Sequence, residues 1–124
     1  MAAEKNFENR IKVFLKELGC WYLKTWSNGV QRSGVADLLI CCNGHFIAAE
    51  LKAPRGKPSE LQIHDLNKVE ASGGHALLLY PKDFELFKEF IINLKLGKLY
   101  EAEKIYDALY HQNRQPFENM NTIS

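Results

Sequence analysis

Asn43-Gly44 is the stretch that most constrains this chain. Both residues tolerate positive φ, and between two β-prone runs they specify a two-residue type I′ hairpin. That loop fixes the register. It sets Cys42 against His45 and, counting outward, Asp37 against Glu50. Directly opposed residues on one face have Cβ atoms about 5 Å apart, and like charges there repel. Lys52 lies two residues beyond Glu50, so the pleat puts it on the same face. Two carboxylates and one ammonium therefore converge at the end of a hairpin that is otherwise largely apolar.

Two accounts fit that convergence. In the plainer one, Lys52 screens two exposed acids at a sheet edge as a salt-bridge triad. In the other, a divalent ion relieves the repulsion. Mg²⁺ takes one or two carboxylates plus waters and phosphate oxygens, and the Leu51 backbone carbonyl offers a further oxygen. A lysine beside it would hold or deprotonate an attacking water. That is equipment for phosphodiester hydrolysis, and it predicts activity lost at low pH and in EDTA. Removing Asp37 or Glu50 is expected to abolish cleavage while leaving the fold intact, because a repulsion is relieved.

At 124 residues the chain is one domain with a real core. Its net charge of +1 gives no global basic field, so contacts to nucleic acid must come from local patches. No signal peptide and no membrane-spanning apolar run are read, and no membrane partner is expected. Three cysteines, two of them adjacent, fit reduced thiols in a cytoplasmic protein better than a disulfide framework. No C-x-x-C spacing is present to suggest zinc, and His45, His64, His75 and His111 are scattered.

The periodicities predict the order α-β-β-β-α-β-α-α. Asn6 is placed as the cap of a first helix ending at Leu18 and Gly19, with Phe7, Ile11, Phe14, Leu15 and Leu18 as its apolar stripe. Glu8 flanks that stripe, either as an N-terminal acid favoured by the helix dipole or as a carboxylate leaning toward what the face covers. Cys20 to Trp26 reads as a strand. Its two tryptophans fit core packing better than a stacking platform for bases. Ser27 to Gly34 is a loop whose Arg32 and Ser33 stand ready to meet a phosphate backbone, and Arg55 and Lys57 add charge beside Lys52.

Both hairpin faces are apolar enough to need cover, which argues for an α/β sandwich. Ser59 and Gln62 form a capping box for a helix to about Ser72, a complete structural reason for Gln62. Leu61, Ile63, Leu66, Val69 and Ala71 supply its apolar positions. His75 to Tyr80 has the pattern of a buried central or parallel strand, and the helix and Gly-Gly turn before it read as a right-handed crossover. Asp83 caps a helix carrying Phe84, Phe87, Phe90, Ile91 and Leu94; Gly97 breaks it, and another runs from about Tyr100 to His111. The polar residues 112–124 read as a flexible tail.

An acid-bearing helix, then D-x(12)-E-x-K across two strands, then a helix and a strand, resembles the PD-(D/E)xK nuclease superfamily. R-S-G-V-A-D, N-G-H-F-I-A-A-E-L-K, G-K-P-S-x-L-Q and G-G-H-A resemble its VRR-NUC branch more closely. The resemblance covers a core of about 7–81 within a domain of 1–111, with the helices of about 83–111 outside it. It implies an α/β fold with a restriction-endonuclease-like αβββαβ core, a mixed sheet flanked by helices, and additional C-terminal helices. It implies Asp37, Glu50 and the Leu51 carbonyl as ligands of Mg²⁺ or Mn²⁺, and Lys52 as the motif lysine. Glu8 matches the acid of the first helix, acting through water or a second ion. Gln62 matches the glutamine after the motif, so its capping and functional roles compete or coexist. Ala36 departs from the signature proline but supplies no ligand atom. The implied activity is a metal-dependent endonuclease on branched or double-stranded DNA, such as Holliday junctions. It would act as a homodimer through its C-terminal helices, in a bacterial or phage-infected cell. The alternatives are the same chemistry on flap or linear DNA, and a non-catalytic DNA-binding module.

Overall fold

A computed structural model describes residues 2–26 and 34–118. The elements are α1 (Ala2–Leu18), β1 (Trp21–Lys24), β2 (Leu38–Cys42), β3 (His45–Leu51), α2 (Glu60–Ala71), β4 (His75–Leu79), α3 (Phe84–Lys95) and α4 (Leu99–Leu109). They form an α/β domain around one mixed sheet in the order β1-β2-β3-β4, antiparallel except for the parallel β3–β4 pair. The hairpin turns at Asn43 and Gly44 with φ of 51° and 81°, the left-handed pair a type I′ turn demands. Cys42 faces His45 and Leu38 faces Ala49, so the next step outward sets Asp37 against Glu50. Glu50 belongs to an inner strand and Asp37 stands just before the start of another, so neither lies on an edge strand.

One face carries Leu38, Ile40, Ile47, Ala49 and Leu51 into the main core, where α1, α3 and α4 cover them. The other packs Ala48, Ala76 and Leu78 against Leu66 and Val69 of α2. That second cover stops short. On β1 and β2 the same face leaves Trp21, Leu23 and Cys41 exposed, with Phe46 beside them on β3.

Several expectations need correcting. The first helix starts at Ala2, not after Asn6, because Ala-Ala-Glu-Lys are strong helix formers; Asn6 is an exposed interior residue. Glu8 thus lies beyond the first turn, and the dipole does not explain it. Trp21 and Trp26 are 58% and 67% exposed rather than core. Leu61 on α2 is also exposed. Asp83 stands before α3 but makes no side-chain cap there; its Oδ2 accepts from Tyr80 N at 2.8 Å.

The segment after the last two helices departs most; those helices themselves turn their expected apolar residues inward. α3 and α4 supply Phe87, Phe90, Ile91, Leu94, Ala102, Tyr106 and Leu109 to the main core. Residues 112–118 are no loose tail either: a wide helical turn over Tyr110–Arg114 leads into a tight one over Gln115–Phe117, with Asn113 and Arg114 buried. β4 is an edge strand, and an open edge needs partners. Asn113 Nδ2 donates to Leu78 O (2.7 Å), Arg114 Nη1 to Ala76 O (3.0 Å), and Ala76 N donates to the Tyr106 hydroxyl (3.0 Å). Side chains thus close the edge. Arg114 also meets Glu70 and Asn67 of α2.

Replacing Asn113 and Arg114 together by alanine is expected to cost about 4 kcal/mol, since several buried bonds to β4 and α2 are lost and Asp83 gives up its bond from Asn113. Urea unfolding followed by circular dichroism reads this; an unchanged midpoint would mean the segment is frayed after all.

Candidate active site

The site is built where the ends of β1, β2 and β3 meet α1 and α2. Gly34 opens the approach with φ of +88°, and a Cβ there would sit 2.8 Å from the Leu61 carbonyl oxygen. Only glycine lets the chain pass so close to the start of α2. Thr25 then holds the next turn: its N donates to Asp37 O (2.9 Å) and its Oγ1 to Ala36 O (2.7 Å). With its backbone pinned, Asp37 accepts from Leu51 N through Oδ2 at 2.8 Å. This bond ties the first acid to the strand that carries the second.

Glu50 is 2% exposed. Lys52 Nζ lies 3.1 Å from its Oε2, while Oε1 is buried with no hydrogen-bond partner among the described residues. Burial, and then the charge of Asp37, push the Glu50 carboxyl up to about 7 despite Lys52. A surface triad screened by one lysine does not describe this group. Lys52 Nζ also donates to Gln62 Oε1 at 3.0 Å, and the same oxygen accepts from Ser59 N at 2.9 Å. Gln62 N in turn donates to Ser59 Oγ at 3.1 Å, so the capping box is complete. The two readings of Gln62 coexist: one amide oxygen caps the helix and anchors the lysine.

Glu8 is buried at the border of α1 and pairs with Lys24 (Oε1, 3.0 Å) and Lys12 (Oε2, 3.1 Å). Burial alone would raise its carboxyl, but the hydrogen bonds and charges of Lys24 and Lys12 outweigh it and hold the group below its ordinary value. Lys24 Nζ also stands 3.8 Å from Asp37 Oδ1. Burial would lower this ammonium, but the Glu8 hydrogen bond and the charges of Asp37, Glu8 and Glu4 raise it.

Glu8, Asp37, Glu50, Lys52 and Gln62 are therefore brought together. Arg55 and Lys57 are exposed on the loop after Lys52, whose Gly56 packs so close that a Cβ would lie 3.3 Å from the lysine stem. Arg32 and Ser33 lie outside the described residues. Lys24 and Glu4 are additions that the sequence reading missed. Glu4 and Glu8 share an i, i+4 spacing, and that signal was hidden by starting the helix at Asn6.

Among the described residues, no group of three or more His, Cys, Asp or Glu side chains is arranged to hold a metal ion. The donor set is two carboxylates, one with an unsatisfied buried oxygen. That suits a hard cation which keeps waters and takes only one or two protein carboxylates. A larger hollow of about 750 Å³ lies elsewhere, lined by Gly44, His45, Phe46, Asp65 and Lys68 among others. It holds none of these groups.

No protein-family model matches the sequence, and no curated protein does. A solved structure described as a VRR_NUC domain shares its architecture, with a TM-score of 0.53 at 24% identity. The match covers 61% of this chain and 82% of that one. At that identity the likeness shows the fold, a mixed four-stranded sheet with flanking helices.

Glu50 makes stability depend on pH. Its carboxyl is raised in the folded chain, so between about 4.5 and 7 the native state holds a proton the unfolded state has lost. Stability from this group is full at low pH and falls as pH rises through about 7. Glu50→Gln is expected to stabilise the metal-free protein by about 3 kcal/mol at pH 8 and by little at pH 5. Thermal melts in EDTA at both values check this; equal shifts at the two would refute it. Asp37→Ala should instead destabilise by about 1–3 kcal/mol, because it orphans the Leu51 N–H. The fold is still expected to stay intact, but relief of repulsion is offset at Asp37 by the loss of this bond.

Proposed function

We propose that this chain is a divalent-metal-dependent endonuclease that hydrolyses DNA phosphodiester bonds, using Mg²⁺ or Mn²⁺ and selecting branched DNA such as four-way junctions. The observation that carries the chemistry is Glu50: a buried carboxylate with one unsatisfied oxygen, set against Asp37 and flanked by Lys52. Asp37 and Glu50 would hold the ion, with the Leu51 carbonyl as a third donor. A divalent cation held there would supply Lewis-acid charge to the phosphate and would make a water more acidic.

The chain's own groups do the rest. Lys52, fixed between Glu50 and Gln62, directs its positive charge at the phosphate where negative charge grows during attack. It orients the water, whose oxygen bonds to phosphorus as the bond to the departing sugar oxygen breaks. Arg55 and Lys57, exposed beside Lys52, suit the flanking phosphates, and Arg32 and Ser33 are assigned the same task from their place in the sequence. Trp21 stands exposed on the sheet face that carries Asp37, where unpaired bases near a branch can stack. Junction selectivity and a homodimer rest on the resemblance to small VRR-NUC proteins; two active sites related by a two-fold axis match the two equivalent strands of a junction. Exposed Ile92, Leu96, Leu99 and Tyr100 on the outer side of α3 and α4 are the surface proposed for that dimer.

A panel of junction, flap, linear and single-stranded DNA, incubated with Mg²⁺ and with Mn²⁺, tests the assignment. Junction cleavage lost in EDTA is expected, together with at least a 100-fold loss in Asp37→Asn, Glu50→Gln and Lys52→Ala. Preference for flap or linear ends would move the substrate but keep the chemistry; DNA binding without cleavage would make the chain a module. Proton competition at Glu50 should weaken Mn²⁺ binding about tenfold per unit below about pH 7. Calorimetry showing flat affinity from pH 5 to 8 would count against Glu50 as a ligand.

A further inference from the structure

Glu8 and Asp37 come from different elements, α1 and the turn before β2, yet they share a cation. Lys24 Nζ is 3.0 Å from Glu8 Oε1 and 3.8 Å from Asp37 Oδ1. The pleat alone would not predict this contact, since Lys24 pairs with Leu38; it is made where the strands end, with Thr25 N donating to Asp37 O at 2.9 Å. On the other side of Asp37, Lys52 pairs with Glu50 Oε2, while Glu50 Oε1 is buried with no hydrogen-bond partner among the described residues. One flank of Asp37 thus has a cation shared with Glu8, and the other has a cation on one Glu50 oxygen and an unsatisfied second oxygen.

We propose that Lys24 is a built-in cation occupying the second of two possible ion positions, so that the site takes one divalent ion, at Asp37 and Glu50, and not two. The inference rests on the metal-site reading above and goes beyond it, by fixing the number of ions and naming the residue that sets it. Glu8 is then a positioning residue that holds an ammonium, and it is not a metal ligand. Like charges about 4 Å apart repel strongly even at the effective dielectric near a protein surface, and a divalent ion doubles the repulsion. A second ion between Glu8 and Asp37 must therefore displace Lys24. Beside this pair lies a hollow of about 220 Å³ lined by Glu4, Lys5, Glu8 and Lys24. In the intact chain its two acids are matched by two lysines. Without Lys24, Glu8 and Asp37 would lose the cation they share, and Lys12 would remain on Glu8 alone.

The test is a count of Mn²⁺ ions bound by the full chain, by calorimetry and by the electron paramagnetic resonance signal of free Mn²⁺. Wild type is expected to bind one ion, and Lys24→Arg one. Lys24→Met should bind two, with the second lost again when Glu8→Gln is added. Two ions in wild type, or one in a folded Lys24→Met, overturns the proposal while leaving a metal-dependent nuclease standing. No ion at all in wild type overturns both. The wild-type count decides on its own should Lys24→Met fail to fold, which a melt would reveal.

Discussion

The structure depends on keeping a buried carboxylate next to a second one. Two unit charges about 5 Å apart at an effective dielectric of about 20 repel by about 3 kcal/mol. A domain of this size has only about 5–15 kcal/mol of net stability. Left to themselves the strands would slip, and a slip of one residue would turn Glu50 to the other face. What prevents this is distributed. The Asn43-Gly44 turn admits one register, and the Thr25 bonds hold Asp37 from β1. The Asp37–Leu51 bond locks the two strands together just where their charges conflict.

Compensation around the acids is uneven, and the unevenness carries the chemistry. Three lysines from three elements serve three acids: Lys12 from α1 and Lys24 from β1 on Glu8, Lys24 also on Asp37, and Lys52 from the end of β3 on Glu50. Glu8 ends up below its ordinary pKa and Glu50 well above it. The same residue type, buried in the same site, is pushed in opposite directions because one has two ammonium partners and the other has one plus a like charge. A charge deficit therefore exists at one defined place. Carboxylates whose environments drive them apart are the usual mark of a working site, though paired networks can imitate it.

Much of this was legible because local rules carry it. The turn dipeptide fixes the register, the pleat fixes the face, and Ser59 with Gln62 fixes the start of α2. The first two rules place Asp37, Glu50 and Lys52 together; Gln62 was read as a cap, and only the resemblance brought it to the site. Lys24 was not legible, since its position depends on β1 pairing with β2 across a connection whose length sets no register. Neither was the exposure of Trp21: aromatic residues on a strand signal burial only if something covers that face, and α2 stops short. Arg114 and Asn113 failed for the opposite reason. A run such as His-Gln-Asn-Arg-Gln looks solvated by composition, but here the partners are backbone carbonyls of β4, which no sequence pattern announces.

Those last contacts extend the support of the site beyond the stretch that resembles a nuclease core. Glu50 pairs in register with Leu78, so β4 is the wall behind the buried acid. β4 is also an edge, and its outward groups at Ala76, Leu78 and Tyr80 are taken up by Tyr106, Arg114, Asn113 and Asp83. Loosening that edge would let water reach β3, and water is what a raised carboxylate lacks. Solvation would lower the carboxyl of Glu50 and weaken its demand for a cation. The C-terminal segment, polar and far from the motif, thus helps to keep the acid pair under the strain that makes it useful.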